Sequence, residues 1–271
     1  MDANYLGDGV EELLRGALAD VSGQVKVVNP SQETIKSLVT CLGELDDDTT
    51  VDLLANERKL KSVMDDFLIA SNAADLIAAD TLTIRVRESL PENSLLVSEN
   101  AVVSLVFAGD RVGGLSTDND AFVTQARDYY DEQWETADEF GLRTPPLSQV
   151  RETLESDIGP ETATDFDAVL DSLQTARGNG EGLDEVTISL LVAAKNGELL
   201  YDISKWGEDI GLASKATFSR TKTKLEDMGL IDTEKVPIDV GRPRLRLMLG
   251  DDRLDSADTD ELANVAQSLL A

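Results

Sequence analysis

A run of hydroxyl and cationic side chains near the C-terminal end of the chain has the chemistry needed to bind a polyanion. Nine such residues lie between positions 214 and 224, and the DNA-contacting candidates among them are Ser214, Lys215, Thr217, Ser219, Arg220, Thr221 and Lys224. Hydroxyl groups bind phosphate oxygens and base edges, and the planar guanidinium of arginine matches guanine. We expect Lys215 and Arg220 to contact bases. The stretch from Leu212 to Leu225 has four basic residues and no acidic one.

A second basic segment follows in the sequence Gly241-Arg242-Pro243-Arg244. Its glycine and proline favour an extended backbone that can approach a ligand closely around Arg242. Arginine side chains presented in this way suit the narrow minor groove of DNA. We therefore expect Arg242 and Arg244 to contact the minor groove or the phosphates.

The residues that the chain lacks exclude several kinds of catalysis. There is no histidine and the single cysteine is Cys41. Ser-His-Asp and Cys-His nucleophiles, histidine general bases, disulfides and Cys/His zinc sites are therefore excluded. We predict no catalytic residues, no metal ligands and no cofactor.

The charge of the chain is strongly acidic and uneven. Of 271 residues, 53 are acidic and 24 basic, a net charge of −29, with 32 aspartates and only 10 lysines. This bias favours a halophilic cytoplasm, and an ordinary acidic protein is the alternative. The acidic start and the absence of apolar runs near ~18 residues predict a soluble cytoplasmic protein with no membrane segment. Residues 213–249 carry eight basic and five acidic residues, a local charge of +3.

The basic residues fall within a pattern of three helices and two strands at residues 184–250. The stretch "EVTISLLVAAK" predicts a buried helix, "YDISKWGEDIG" predicts a second, and "KATFSRTKTKLEDMG" predicts a third, capped by Ser214. The stretches "LIDTEKV" and "RLRLML" predict strands joined by "PIDVGRP". A helix-turn-helix followed by a two-stranded wing is the winged-helix arrangement, whose third helix enters the major groove.

Residues 1–143 alternate between helical and extended patterns and then show adjacent strands. This order predicts a small α/β domain with a mixed sheet. Long helices are expected from about Glu57 to Ala79 and from Asp118 to Phe140, with Asp118 as a cap. The segment "SLLVSENAVVSLVFAGD" predicts a hairpin that turns at Glu99-Asn100.

We predict four segments along the chain. They are an α/β regulatory domain for effector binding or dimerisation (1–143), a helical connector (144–182), a mainly α winged helix-turn-helix domain (183–250) and a C-terminal amphipathic helix (251–271). Apolar stripes at Phe166–Leu173 and Leu262–Leu269 are candidates for the seam of a homodimer.

Several large apolar residues are expected to be core rather than groups that stack on a ligand or a base. Cys41 is expected to be a buried small hydrophobe. For Tyr129, Tyr130 and Trp134, stacking on a ligand is the alternative. The complete set expected in the core is Tyr129, Tyr130, Trp134, Trp206, Phe218, Leu225 and Met228.

Two resemblances follow from these motifs. The stretch "SKATFSRTKTKLEDMGLI" resembles the recognition-helix signature of winged-helix transcription regulators. Together with residues 184–196 and 200–247, "GLRTPPLS" and "DEQWETADEF", it makes the whole chain similar to haloarchaeal TbsP-type transcription regulators. That resemblance implies an archaeal DNA-binding regulator whose winged helix lies toward the C-terminal side.

The sequence departs from the general winged-helix pattern at two places. Lys222 occupies a position where such helices usually place leucine, so its stem is expected to pack while its ammonium group reaches out. The turn from Gly211 to Thr217 is one residue longer than is common, which puts the register of the base contacts in doubt.

The first half also loosely resembles the effector domains of archaeal TrmB-type regulators and the phospholipase-D-like scaffold. The segments that carry this are "PENSLLVSENAVVSLVFAGD" and "FVTQARDYYDEQWETADEF". The catalytic histidine of that scaffold is absent, so such ancestry would leave binding without chemistry. It implies a small-molecule effector on this domain, for which we assign no residues.

The sequence therefore predicts a sequence-specific regulator that binds double-stranded DNA as a homodimer. The alternative is a metabolite-binding or enzymatic α/β protein whose winged helix docks a protein partner such as RNA polymerase.

Overall fold

The chain folds into two compact units. In the computed structural model one unit comprises Met1–Asp65 and Asn72–Leu142, and the other comprises Asp66–Ser71 and Arg143–Ala271. The structure describes residues 4–270 except 20, 22, 45–48, 110, 174–182, 240 and 242, and only the backbone of 4–6 and 270. Residues 67–71 of the second unit begin a helix that continues to Ala78 in the first unit. The four-segment division made from the sequence stays a prediction.

The first unit is an α/β fold built on a mixed sheet. Its elements are β1 (Asn4–Gly7), α1 (Val10–Ala19), β2 (Gly23–Val28), α2 (Gln32–Leu42), β3 (Thr49–Ala55), α3 (Glu57–Met64), α4 (Phe67–Ala78), β4 (Leu82–Val86), β5 (Ser94–Val97), β6 (Val102–Ala108), β7 (Arg111–Thr117), α5 (Asp120–Glu135) and β8 (Asp138–Glu139). The strands of the described residues are ordered β1-β7-β6-β5-β2-β3-β4-β8. β2, β3 and β4 are parallel, and the other neighbours are antiparallel. The predicted mixed sheet is confirmed.

Apolar strands with crossover helices form the centre of this unit. Val27, Leu53 and Ile84 lie side by side across β2, β3 and β4, and all three are buried. Parallel neighbours require a crossover connection, which α2 provides between β2 and β3. The hydroxyl of Ser31 caps α2 by accepting a hydrogen bond from the Thr34 amide at 3.0 Å.

Both long helices predicted for this unit have wrong bounds. The single helix from Glu57 to Ala79 is two helices, because α3 ends at Met64 with Asp65 as its C-cap, and the carbonyl of Asp66 accepts a hydrogen bond from the Ala70 amide of α4. Aspartate favours helix ends over helix interiors, which explains a break at two in succession. α5 ends at Glu135 rather than at Phe140. Asn119 rather than Asp118 caps α5, since its Oδ1 accepts from the Phe122 amide at 3.1 Å.

The predicted hairpin is confirmed, since β5 pairs antiparallel with β6 across residues 98–101. Cys41 is buried as expected. Tyr130 is also buried, and Trp134 packs partly buried against the same cluster under the Arg85 guanidinium, 5.0 Å from its ring centroid. Tyr129 is 54% exposed, so its expected place in the core is wrong.

The second unit is mainly helical, and a β-hairpin follows its helix-turn-helix. Its elements are α6 (Leu147–Asp157), α7 (Pro160–Ser172), α8 (Glu185–Lys195), α9 (Leu200–Asp209), α10 (Lys215–Asp227), β9 (Ile231–Val236), β10 (Arg244–Leu249), α11 (Asp252–Asp255) and α12 (Thr259–Leu270). The strands β9 and β10 pair antiparallel. The order of three helices and two strands that the sequence predicts for residues 184–250 is confirmed.

The two apolar stripes proposed for a dimer seam lie inside this unit instead. Phe166 and Val169 of α7 are buried in the same cluster as Leu262 and Ala266 of α12. Amphipathic stripes need an apolar partner, and here the two helices supply it to each other within one chain. The expectation that they form a dimer seam is therefore wrong.

The contact between α9 and α10 depends on a residue without a side chain. Gly207 lies on the inner face of α9 against Phe218 of α10, and both residues are buried. A Cβ at position 207 would lie 2.4 Å from Cε2 of Phe218, closer than packed carbon atoms approach. The glycine therefore sets how closely α9 and α10 approach, and with it the placement of α10.

We expect Gly207→Ala to lower the free energy of unfolding. Overpacking costs about 1–3 kcal/mol, and the helix-propensity gain of alanine returns about 1 kcal/mol. The measurement is urea unfolding followed by far-ultraviolet circular dichroism. Gly141→Ala is the control, because a Cβ there meets nothing within 4 Å. If both variants unfold at the wild-type midpoint, the Gly207–Phe218 contact does not constrain α10.

Candidate nucleic-acid interface

The turn between α9 and α10 fixes where α10 begins. The carbonyl of Gly207 accepts hydrogen bonds from the amides of Leu212 at 2.8 Å and Ala213 at 3.2 Å. Gly211 turns the chain with φ of +79°, a conformation that favours glycine. Ser214 then caps α10 as predicted, accepting from the Thr217 amide at 3.2 Å.

One face of α10 is buried and the opposite face is open. Phe218 and Leu225 anchor the buried face. The exposed positions include Ser219, Arg220 and Lys224, as the 3.6-residue period requires once the other face is buried. Three predicted site residues thus share one exposed helical surface, which we call the α10 face.

Lys215 is held by a carboxylate of the neighbouring helix. Its Nζ lies 2.7 Å from Oε2 of Glu208, and its backbone amide donates to Oε1 at 3.3 Å. The hydrogen bond from Lys215 lowers the pKa of Glu208, and the same bond raises the pKa of Lys215. Both groups are therefore charged at neutral pH, and Lys215 already has an anionic partner.

Lys222 also has an internal partner. Its side chain is only 12% exposed, and its Nζ lies 2.6 Å from Oε2 of Glu226. The other oxygen of Glu226 accepts a hydrogen bond from the Thr233 hydroxyl at 2.8 Å, which links α10 to β9. The expected packing of the Lys222 stem is confirmed, but its ammonium group is neutralised instead of reaching out.

The cationic run is therefore less charged than its sequence indicates. Of the four basic residues between 212 and 225, Lys215 and Lys222 are paired. In the part of the chain that the structure describes, Arg220 and Lys224 form no ion pair. These two carry the positive charge that the α10 face offers to an anion.

The hydroxyl groups of the site have two different environments. The hydroxyls of Ser214 and Thr217 lie 3.0 Å apart at the start of α10, and the Arg220 guanidinium donates to the Thr217 hydroxyl at 3.4 Å. Thr221 is half-buried, whereas Ser219 is exposed. Thr217 thus helps to orient Arg220, and Ser219 is available for an external contact.

The hairpin presents one of its two predicted arginines in a fixed position. The Arg244 guanidinium stacks on the Tyr201 ring, 3.9 Å from its centroid, and donates to Oδ1 of Asp202 at 2.9 Å. Stacking and ion pairing together tie β10 to α9. Arg242 lies outside the described residues.

The residues missed by sequence reasoning are the partners of the cations. Glu208, Tyr201 and Asp202 hold Lys215 and Arg244 through contacts between different elements. A helix-turn-helix brings the last turn of one helix beside the first turn of the next, so the spacing of Glu208 and Lys215 was a usable signal. Met228 is 42% exposed beyond the end of α10, so its expected place in the core is wrong, whereas Trp206, Phe218 and Leu225 are buried.

Across the described ranges, no three His, Cys, Asp or Glu side chains are grouped so that they could hold a metal ion. Within those ranges no helix has the length and apolar character to span a bilayer.

Solved structures match about half of the chain. TrmBL2, described as an archaeal chromatin protein with a novel mode of DNA binding, is 11% identical with a TM-score of 0.38, covering 52% of this chain and 55% of that chain. The phospholipase D family member Nuc from Salmonella typhimurium is 10% identical with a TM-score of 0.37, covering 51% and 97%. NucT from Helicobacter pylori is 12% identical with a TM-score of 0.35, covering 51% and 98%. TM-scores this low do not establish a shared function.

Family models cover nearly the whole chain, although no curated protein matches it significantly. The model described as "Transcriptional regulator TbsP-like, N-terminal" matches residues 2–145. The model described as "Transcriptional regulator TbsP-like, C-terminal HTH domain" matches residues 146–267, which include α8, α9 and α10. The chain belongs to the family of TbsP-like transcriptional regulators.

Proposed function

We propose that the chain binds double-stranded DNA sequence-specifically, with α8, α9, α10 and the β9–β10 hairpin acting as a winged helix. In this proposal α10 is the recognition helix in the major groove and the hairpin is the wing. The observation that supports it is the α10 face, which offers Arg220 and Lys224 with no carboxylate between residues 212 and 225. A segment without carboxylates on a chain of net charge −29 is suited to a polyanion.

The site residues take different roles in this proposal. Arg220 contacts base edges, since its guanidinium is exposed and oriented by Thr217. Lys224 and the hydroxyls of Ser214, Ser219 and Thr221 contact phosphates or base edges. Thr217 orients Arg220 and adds a hydroxyl at the start of the helix. Ser219, Arg220 and Lys224 lie on the α10 face, Ser214 and Thr217 lie at the start of the helix, and Thr221 is half-buried.

The other three basic residues of the site also contact DNA in this proposal. Lys215 reaches DNA when a phosphate replaces Glu208 as its partner. Arg242 and Arg244 contact the backbone or the minor groove from the wing, with Arg244 held in place by Tyr201 and Asp202.

A halophilic archaeal cytoplasm would make these contacts compatible with the acidity of the chain. At 1 M salt the Debye length is ~3 Å, so carboxylates remote from the interface are screened. High salt also weakens the gain from counterion release. Affinity then depends on hydrogen bonds and close packing, which favours the short hydroxyls and the oriented Arg220.

The regulator is further proposed to act as a homodimer with a small-molecule effector on its first unit. A dimer of helix-turn-helix domains reads two half-sites and doubles the contacts with one operator. The seam must lie elsewhere than on α7 and α12, because those helices pack against each other.

Arg220→Ala is expected to cost ~1–3 kcal/mol of binding free energy and to relax sequence preference, because it removes a base contact. Lys224→Ala is expected to weaken binding to all sequences about equally, because it removes a phosphate contact. The measurement is a fluorescence-anisotropy titration of operator and random duplexes, with the operator first selected from a random library.

Lys205→Ala is the matched control for Lys224→Ala, because Lys205 is an exposed lysine of α9 paired with Asp209. It should bind both duplexes as the wild type does. If neither Arg220→Ala nor Lys224→Ala lowers affinity relative to this control, α10 is not the recognition helix.

Glu208→Gln is expected to strengthen DNA binding severalfold, because it frees Lys215 for a phosphate and removes a negative charge beside it. Because Lys215 no longer has an anionic partner in the free chain, its phosphate contact should also steepen the slope of log affinity against log salt concentration by about 1. The measurement is the same titration across a series of KCl concentrations.

Asp209→Asn is the control, since it removes a carboxylate one residue away that pairs with Lys205. The gain from Glu208→Gln should disappear when Lys215→Ala is added. A gain that survives in the double variant would contradict the role given to the Glu208–Lys215 pair.

A further inference from the structure

α5 leaves part of the sheet face on which it packs open. Leu95, Ser104 and Leu115 lie side by side across β5, β6 and β7, so their side chains share one face. α5 packs on that face through Val123 and Tyr130, which are buried. A groove remains between α5 and the strands β6 and β7, with a volume of about 550 Å³.

The groove is apolar and contains no charged side chain. Its exposed apolar surface comes mainly from Leu115 at 57%, Phe122 at 51% and Tyr129 at 54%. Large apolar groups exposed together are unusual on a monomer, and more so on a chain where 53 of 271 residues are acidic. The volume lies in the range of small-molecule sites, ~300–1,000 Å³.

Neutral polar groups are interspersed in this apolar lining. They include the side chains of Asn93, Ser104 and Gln125. In the described residues none of these three side chains forms a hydrogen bond, so each can bond to a bound molecule. A mainly apolar site with a few convergent polar groups is the usual composition of a ligand pocket.

The lining restricts what can enter the groove. It has no basic side chain to pair with an anion and no carboxylate to pair with a cation. A charged ligand would lose hydration without gaining a charged partner, which favours an uncharged one.

We propose that this groove binds an uncharged small molecule with a planar apolar ring system and a few neutral hydrogen-bonding groups. The aromatic rings of Phe122 and Tyr129 stack on the ring system, and Asn93, Ser104 and Gln125 pair with its polar atoms. The proposal gives the effector suggested above a site and a chemical class. Its test needs no DNA, so it can fail while DNA binding holds.

The test compares two dyes that differ by one charge. N-phenyl-1-naphthylamine is neutral, and 1-anilinonaphthalene-8-sulfonate has the same ring system with a sulfonate. Both fluoresce in apolar surroundings, so each is titrated into the full chain at a salt concentration where circular dichroism shows it folded. The neutral dye should bind once per chain and at least tenfold more tightly than the sulfonate. Equal affinities, or many neutral dye molecules per chain, would overturn the proposal.

A matched pair of phenylalanine variants locates the site. Phe122 and Phe107 are similarly exposed, at 51% and 45%, but only Phe122 lines the groove. Phe122→Ser should weaken binding of the neutral dye at least fivefold, and Phe107→Ser should leave it unchanged. Both variants should keep the wild-type thermal midpoint, since each side chain is half exposed.

Two outcomes would contradict the proposal that a small molecule occupies this groove. Equal losses from the two variants would show that the dye binds general apolar surface. If sedimentation shows a wild-type dimer that Phe122→Ser dissociates, while the wild type binds no neutral dye, then a second copy fills the groove and the proposal is wrong.

Discussion

The absence of a side chain at Gly207 is the constraint on which the candidate interface depends. It lets the Phe218 ring press against the backbone of α9, and the carbonyl of the same glycine accepts the two amides that close the turn. Because Phe218 and Leu225 are buried, the helical period places Arg220 and Lys224 on the exposed side of α10. The chemistry of the α10 face is therefore a consequence of packing on its opposite side.

Electrostatics then decides which cations on this helix are available. Glu208 engages both the ammonium group and the backbone amide of Lys215, as a phosphate would at the start of a helix. When a phosphate displaces Glu208, Lys215 exchanges one anionic partner for another. Its contribution to the free energy of DNA binding is therefore smaller than that of an unpaired lysine. The pairing also disfavours weakly bound anions, because only a ligand that contacts the rest of the α10 face offsets the loss of the contact between Glu208 and Lys215.

Local patterns in the sequence were enough to predict the elements but not their partners. The burial of Phe218 and Leu225 follows from helical period alone, and the cap at Ser214 follows from a serine directly before the helix. The stripe on α7 was equally clear, yet period does not tell whether an apolar face meets the same chain or a second copy. The i,i+4 spacing of Lys222 and Glu226 was a usable signal for their pairing, although the ammonium group of Lys222 was expected to reach out. The stacking of Arg244 on Tyr201 required the fold, because the two residues are 43 positions apart and belong to different elements.

The candidate binding surfaces of the two units differ in how they avoid the negative charge of the chain. No carboxylate lies between residues 212 and 225, and Glu208 and Glu226 on either side are engaged by Lys215 and Lys222, so that the charge of Arg220 and Lys224 remains for a polyanion. The lining of the groove between α5 and the strands β6 and β7 holds only neutral groups. A neutral ligand feels little of the surrounding negative field at any salt concentration, whereas a charged one would bind with an affinity set by the ionic strength. The proposed uncharged effector would therefore bind the chain with an affinity nearly independent of salt, whereas the proposed contacts with DNA would weaken as salt rises.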